Sequence, residues 1–310
     1  MIVNEKAKSP DRLGGLRRFA IAITVFNILG HTVFGFEQAW IQPLLSVMTA
    51  YACETWFELV DCYAQRRPPR FAGGWRNVVN FLLSAHITGI ACAMLLYSSS
   101  RIMPVVFASA TAITSKCLLR ITMENSNRHF LNPSNFGITV TLLLFPWVGI
   151  AAPYMFSENI HGLGSWLLPA IIVVSGSFLN AMYTRRIFVI LGWLGGFLGQ
   201  ALLRNFVFGT PFTAALTPLT GVALILFTFY MMTDPATTPC MPRGQLLFGV
   251  LVAITYGTLV ALHIVFGAFF ALTLVSLARG LMLYVQKYLT ARSEAGAASQ
   301  AVLVLGKEMA

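Results

Sequence analysis

Apolar residues come in long unbroken runs, separated by short polar stretches that hold most of the charge. A helix needs roughly 20 mostly apolar residues to cross a bilayer. Runs of about that length lie at 18–36, 38–60, 78–97, 102–119, 137–154, 165–184, 187–203, 211–231, 245–262 and 264–285. Helices fit such runs because each satisfies its own backbone hydrogen bonds in lipid. A barrel would show shorter, alternating segments. The pattern predicts an all-α, polytopic membrane protein of about ten transmembrane helices. Residues 1–17 form a cytoplasmic N-terminal segment, 18–290 the ten-helix domain and 291–310 a cytoplasmic tail. The first run follows a basic stretch but is too long for a cleaved leader and reads as a signal-anchor.

Composition agrees. Of 310 residues, 57% are hydrophobic and 10% charged, with a mean hydropathy of +0.73. One globular core could not bury that many apolar side chains. The net charge of +10 would suggest nucleic acid in a soluble protein. Here the basic residues cluster between apolar runs and set orientation instead, so nucleic acid is not an expected partner. With both termini cytoplasmic, all of the 21 Lys and Arg except Arg101 and Arg204 fall on the inner side. That bias orients the chain in the membrane, with the lipid bilayer as the partner.

Two loops on that side concentrate polar residues. Residues 125–137 read Asn-Ser-Asn-Arg-His-Phe-Leu-Asn-Pro-Ser-Asn-Phe-Gly. Asn132 can cap the fifth helix, with Pro133 at its first position. Alternatively its carboxamide and those of Asn127 and Asn135 can line a pocket for the edge of a flavin or quinone ring. Residues 232–244 read Met-Thr-Asp-Pro-Ala-Thr-Thr-Pro-Cys-Met-Pro-Arg-Gly. Asp234 can cap a turn there or pair with Arg243 or Arg128.

The stretch 129–137 resembles the Phe-Asn-Pro element of the NqrB/RnfD family of membrane redox subunits. Residues 232–239 are similar to that family's Met-Ala-Thr-Asp-Pro segment. Arg185–Arg186 before a Gly-rich span also fits, and the Asn-Pro-Ser-Asn-Phe-Gly form is most similar to the shorter UnbU-type branch, named from enediyne biosynthesis clusters. The resemblance implies ten helices in two inverted five-helix halves, a urea-channel-like frame, and membrane electron transfer beside other redox-complex subunits. It also implies riboflavin or FMN held without a covalent bond by Asn132, Asn135, His129, Phe136 and Gly137, with Asp234 and Arg243 shaping the inner mouth. The family's covalent FMN attaches at a Ser-Gly-Ala-Thr motif. The nearest string, Val174–Ser175–Gly176–Ser177–Phe178, lacks the Thr, so covalent FMN is not expected. A cofactor-free transporter or channel-like protein on the same frame, linked to natural-product biosynthesis or export, is the alternative.

Within the runs, ionisable groups are costly unless paired or functional. Glu54 and Glu58 share one face of the second run, and Lys116 lies at comparable depth, which predicts a Glu54–Lys116 pair. His31 and His263 could match in depth as haem ligands, although satisfied histidines are the simpler reading. Five scattered Cys include no C-x-x-C pair and read as small apolar filler. The six Trp mostly fall near run ends as interface anchors. The glycines of 192–199 permit close helix approach. Neither a Walker motif nor a Ser/His/Asp arrangement appears.

Overall fold

A computed structural model describes residues 12–123 and 126–308. Lys6, Lys8 and Asn125, which entered the charge and loop readings, lie outside these residues. The chain runs through α1 (Arg12–Leu29), α2 (Ile41–Gln65), α3 (Trp75–Leu95), α4 (Met103–Leu118) and α5 (Pro133–Leu144). It continues through α6 (Gly164–Phe178), α7 (Ile187–Phe208), α8 (Phe212–Leu216), α9 (Val222–Leu226), α10 (Pro242–Ala261) and α11 (Gly267–Glu308). Wider π-type turns extend α1 to Phe34, α6 to Tyr183 and α9 to Met231. The sheet content is two short antiparallel pairs. In one, β1 (Leu96–Tyr97) meets β4 (Gly149–Ile150); in the other, β2 (Arg120–Met123) meets β3 (Ser126–His129).

Among the described residues, six helical segments are long and apolar enough to cross a membrane, or seven if a bent pair counts as one span: Leu13–Phe34, Trp75–Leu95, Gly164–Tyr183, Ile187–Phe208, Pro242–Ala261 and Gly267–Ser293, with Phe212–Thr220 plus Val222–Met231 as the bent pair. The protein is therefore an all-α, multi-pass membrane protein. Each of the ten runs does contain a helix, but ten full spans are not what length and composition support. The run at 137–154 yields only the 12 residues of α5, because Pro146 removes a donor and pushes Phe145 out of the helical region. The run at 211–231 breaks into two helices bent by 71°, at Pro218 and the extended Gly221 (φ −78°, ψ 130°). At 16 residues α4 is short, and α2 carries Glu54, Glu58 and Asp61. Of the tail expected at 291–310, residues 291–308 continue α11, which runs as one helix to Glu308.

The same neighbours recur in the two halves. α2 packs on α4 and α4 on α5; α7 packs on α10 and α10 on α11. α5 then meets α11 across the middle. The α7–α10 contact is close because Gly192 sits on the Leu246 backbone, and Gly249 on the backbone of Val189 and Gly192. A side chain at any of these would strike main chain, so the approach requires glycine. Of the Gly-rich run, Gly195 and Gly199 face open space. Trp193 departs from the anchor role expected of the tryptophans. It is fully buried and donates to Thr228 Oγ1 at 3.0 Å, while Trp40, Trp56, Trp75, Trp147 and Trp166 are exposed.

Candidate functional site: a long cavity with a basic mouth

A cavity of about 1240 Å³ runs between α1 and α3 of the first half and α6 and the 226–231 turn of the second. α3 lines it from Asn77 to Leu95, roughly 27 Å at 1.5 Å rise per residue. That length approaches the roughly 30 Å hydrocarbon thickness of a bilayer. The far end is apolar, with Phe26, Met94, Leu95, Leu168 and Ile172 on the wall. The near end carries Arg70, Lys116, Arg120, Arg128, Arg185 and Arg186, against two carboxylates, Glu54 and Asp234.

Both polar loops reach this near end, and they touch. The first begins as the β2–β3 arm, in which Arg120 pairs with His129 and Thr122 with Asn127. It leads into the N-terminus of α5, where Asn132 caps the helix by accepting from Asn135 N at 3.0 Å, and Pro133 follows. The second loop is folded around Asp234. Its carboxylate accepts from Ala236 N at 3.0 Å, and its carbonyl accepts from the amides of Thr237 and Thr238. Asn132 Nδ2 donates to the Met231 carbonyl at 2.9 Å, and His129 Nε2 lies 3.5 Å from Asp234 Oδ2. His129, Asn132 and Asp234 line the cavity.

The remaining expected contacts lie elsewhere. Asn135 is buried, and its Nδ2 donates to Phe269 O at 3.1 Å and Thr273 Oγ1 at 2.8 Å on α11. Thr139 joins the same α11 groups. Gly137 meets the Ala108 backbone and lets α5 lie close to α4. Phe136 packs beside Phe130 and Leu131. Asn135, Phe136 and Gly137 are absent from the cavity wall. Asn132 does line it, but its oxygen accepts from both Asn135 N and Ser134 Oγ while its amide donates to Met231. Asn132 is thus engaged on both ends of its carboxamide, while Asn135 donates to α11 and keeps a buried Oδ1 with no hydrogen-bond partner among the described residues, off the cavity wall.

Arg186, rather than Arg243, shapes the mouth. Arg243 is exposed and off the cavity wall. Arg186 is 7% exposed and donates to Thr238 Oγ1 at 2.8 Å, Pro235 O at 3.3 Å and Cys240 Sγ at 3.7 Å. Arg279 supports the same loop through Thr237 O at 2.7 Å. The Arg185–Arg186 doublet is visible in the sequence, but its partners are 49 to 54 residues away.

The first half treats its charges differently. Lys116 Nζ lies 2.7 and 2.8 Å from the two Glu54 oxygens, as the spacing predicted. Glu58 has a fully buried side chain and binds Arg67 at 2.7 Å and Arg70 at 2.6 Å. Arg67 also pairs with Asp61. These bonds, Glu58 first and then Asp61, push the already high pKa of Arg67 further up.

The histidines are mostly accounted for. His86 sits between Thr24 Oγ1 at 2.7 Å and Tyr51 OH at 2.8 Å. His31 Nδ1 is 2.9 Å from Asn27 O and its ring packs on Trp40, whereas His263 is exposed in a turn. Among the described residues, no three of His, Cys, Asp and Glu gather as a metal site would require.

No protein-family model matches the chain, and no curated protein matches it. Fold and cavity together define its class: a multi-pass, all-α membrane protein with a deep inter-helix cavity whose mouth is basic.

Proposed function

We propose that the protein is a bacterial inner-membrane transport protein, with both termini cytoplasmic and two inverted halves, that admits its ligand through the basic mouth. The carrying observation is the cavity itself. It extends roughly 27 Å along α3, close to the thickness of a bilayer's hydrocarbon core, lies between α1 and α3 on one side and α6 with the 226–231 turn on the other, and gathers basic residues at one end. Sites between repeats, near the membrane midplane, are how such carriers hold cargo. The contact between the two polar loops places irregular backbone beside the cavity, where a membrane protein tolerates it.

The redox reading, an RnfD/NqrB-like protein with non-covalent riboflavin or FMN, draws on one observation: both motif-bearing loops meet at the cavity through His129–Asp234 and Asn132–Met231. It needs ring contacts other than Asn135, which lies off the cavity wall, with His129, Asn132 and Asp234 on it. An absorption spectrum of detergent-purified protein with acid release separates the two readings. A colourless protein is expected, and a stoichiometric flavin would overturn the transport reading. Access is tested with Ser84→Cys on the cavity wall, in a chain whose native cysteines are replaced. A membrane-impermeant thiol reagent should label it from the basic face only. Labelling from both faces would describe an open pore.

A further inference from the structure

We propose that the cavity takes an anionic amphiphile from the bilayer, its oxyanion head at Arg120, Arg185 and Arg186 and its apolar tail along the shaft. This rests on the cavity reading above and adds the class of ligand.

Charge is the first ground. Two of the basic residues at the mouth are already neutralised, Lys116 by Glu54 and Arg70 by Glu58. Among the described residues, no carboxylate lies within ion-pair distance of Arg120, Arg185 or Arg186. Arg186 is the sharpest case. Its guanidinium is buried, and its acceptors are a hydroxyl, a carbonyl and a sulfur, none of them a carboxylate. Arg120 keeps a buried Nε with no acceptor at all. A buried cation without a counter-charge costs several kcal/mol. A ligand oxyanion would supply the missing charge, and Arg presents it a planar fork of donors. Basic pockets between helices at the cytoplasmic side suit lipid-like head groups.

Shape is the second ground. The cavity holds about 1240 Å³ and extends roughly 27 Å along α3. It is elongated, basic at one end and apolar at the other, a shape that suits a head group with a chain.

Access is the third. Ile171 on α6 is 54% exposed and yet lines the cavity, and exposed Ala22 on α1 does the same. The seam between α1 and α6 therefore opens sideways, at a level where the surroundings are lipid. Side chains close it: Arg18 lies over Tyr183 of the α6 extension at 5.3 Å, and Phe19 stacks at 5.4 Å on Tyr230 of the α9 extension, whose hydroxyl lies 2.8 Å from Ser175 Oγ on α6. Rings and a guanidinium can part without breaking any backbone hydrogen bond, so a tail can enter laterally while its head slides along the basic mouth.

The test uses the full chain in non-ionic detergent, with oleate, oleyl alcohol and inorganic phosphate as probes, each below any micelle-forming concentration. Thermal unfolding and equilibrium binding are read. Oleate should bind at least about tenfold more tightly than oleyl alcohol, equivalent to about 1.4 kcal/mol, and phosphate alone should bind weakly. Arg186→Met should remove the preference and Arg186→Lys should keep part of it. Arg120→Gln serves as the independent variant should Arg186→Met fail to fold. Equal binding of oleate and oleyl alcohol would overturn the anionic class while leaving the cavity as a site. Phosphate binding as tightly as oleate would overturn the amphiphile in favour of a free oxyanion. Oleate binding unchanged in both arginine variants would overturn the head-group assignment. If no probe binds and Ser84→Cys is not labelled from the basic face, the transport reading falls with it.

Discussion

The α2–α4 contact and the cavity mouth hold their buried charge in opposite ways. In the first, Glu54 pairs with Lys116, and Glu58 with Arg67 and Arg70. At the mouth, Arg120 keeps a buried Nε with no acceptor, Arg186 is buried against a hydroxyl, a carbonyl and a sulfur, and Arg279 donates to a carbonyl in the same loop. Desolvation is equally expensive on both sides, so the difference is informative. A paired charge is a structural solution, because removing either partner is what costs. An unpaired cation on a cavity wall is half of an interaction, and the other half is a ligand. Packing differs in parallel. The first half is cross-linked by polar contacts such as Ser46 with Ser109 and with the Gly89 carbonyl, each at 2.6 Å. Both halves use glycine at backbone contact, Gly89 and Gly137 in the first and Gly192 and Gly249 in the second, but the second adds the rings of Trp193, Phe197 and Tyr256.

Breaking the pair in the first half should have the largest effect. Lys116→Met leaves the Glu54 carboxylate, 5% exposed, without its partner. Loss of one member of such a buried pair costs about 3–5 kcal/mol, visible as a lowered unfolding midpoint in detergent. Glu54→Gln added to Lys116→Met should recover most of it. A double variant as unstable as the single would show that the pair is not what stabilises this region.

The glycine contact comes next. Gly249→Leu drives a side chain into the α7 backbone and should cost about 1–3 kcal/mol or more, as overpacking does. Gly195→Leu, which faces open space, should leave the midpoint nearly unchanged. Equal effects would remove the distinction between these two glycines.

Asn135→Ala removes two donations to α11, and each net hydrogen bond is worth about 1 kcal/mol. The expected result is a modest loss of stability with oleate binding intact. Lost binding at unchanged stability would move Asn135 back into the site.

Arg186→Met should have the smallest effect on stability, less than about 1 kcal/mol, since replacing a buried charge by an apolar group is often neutral. Its effect belongs to binding, as a loss of preference for oleate over oleyl alcohol.

Much of the fold was legible from the apolar runs, and the boundaries that failed had visible causes. Pro146 ends α5 well inside its run, and Pro218 with Gly221 breaks the run at 211–231. Apolar content alone does not register such breaks. The β2–β3 arm was read as loop because its strands are four residues each and polar. At the site, the Asn132 cap and the Glu54–Lys116 pair could be read because local spacing and matched depth determine them. The role of Asn135 could not, because its acceptors on α11 lie 134 and 138 residues away. Arg186 was passed over for the same reason: a cation shows its missing counter-charge only once all its neighbours are placed.

The most direct test of this contrast is native mass spectrometry of wild type, Arg186→Met and Lys116→Met released from membranes containing phosphatidic acid. The expected result is a retained anionic lipid on wild type that is absent from well-folded Arg186→Met. Where the Lys116→Met fold survives, the lipid should remain. Equal retention by wild type and Arg186→Met would contradict the assignment of the unpaired arginine to a ligand.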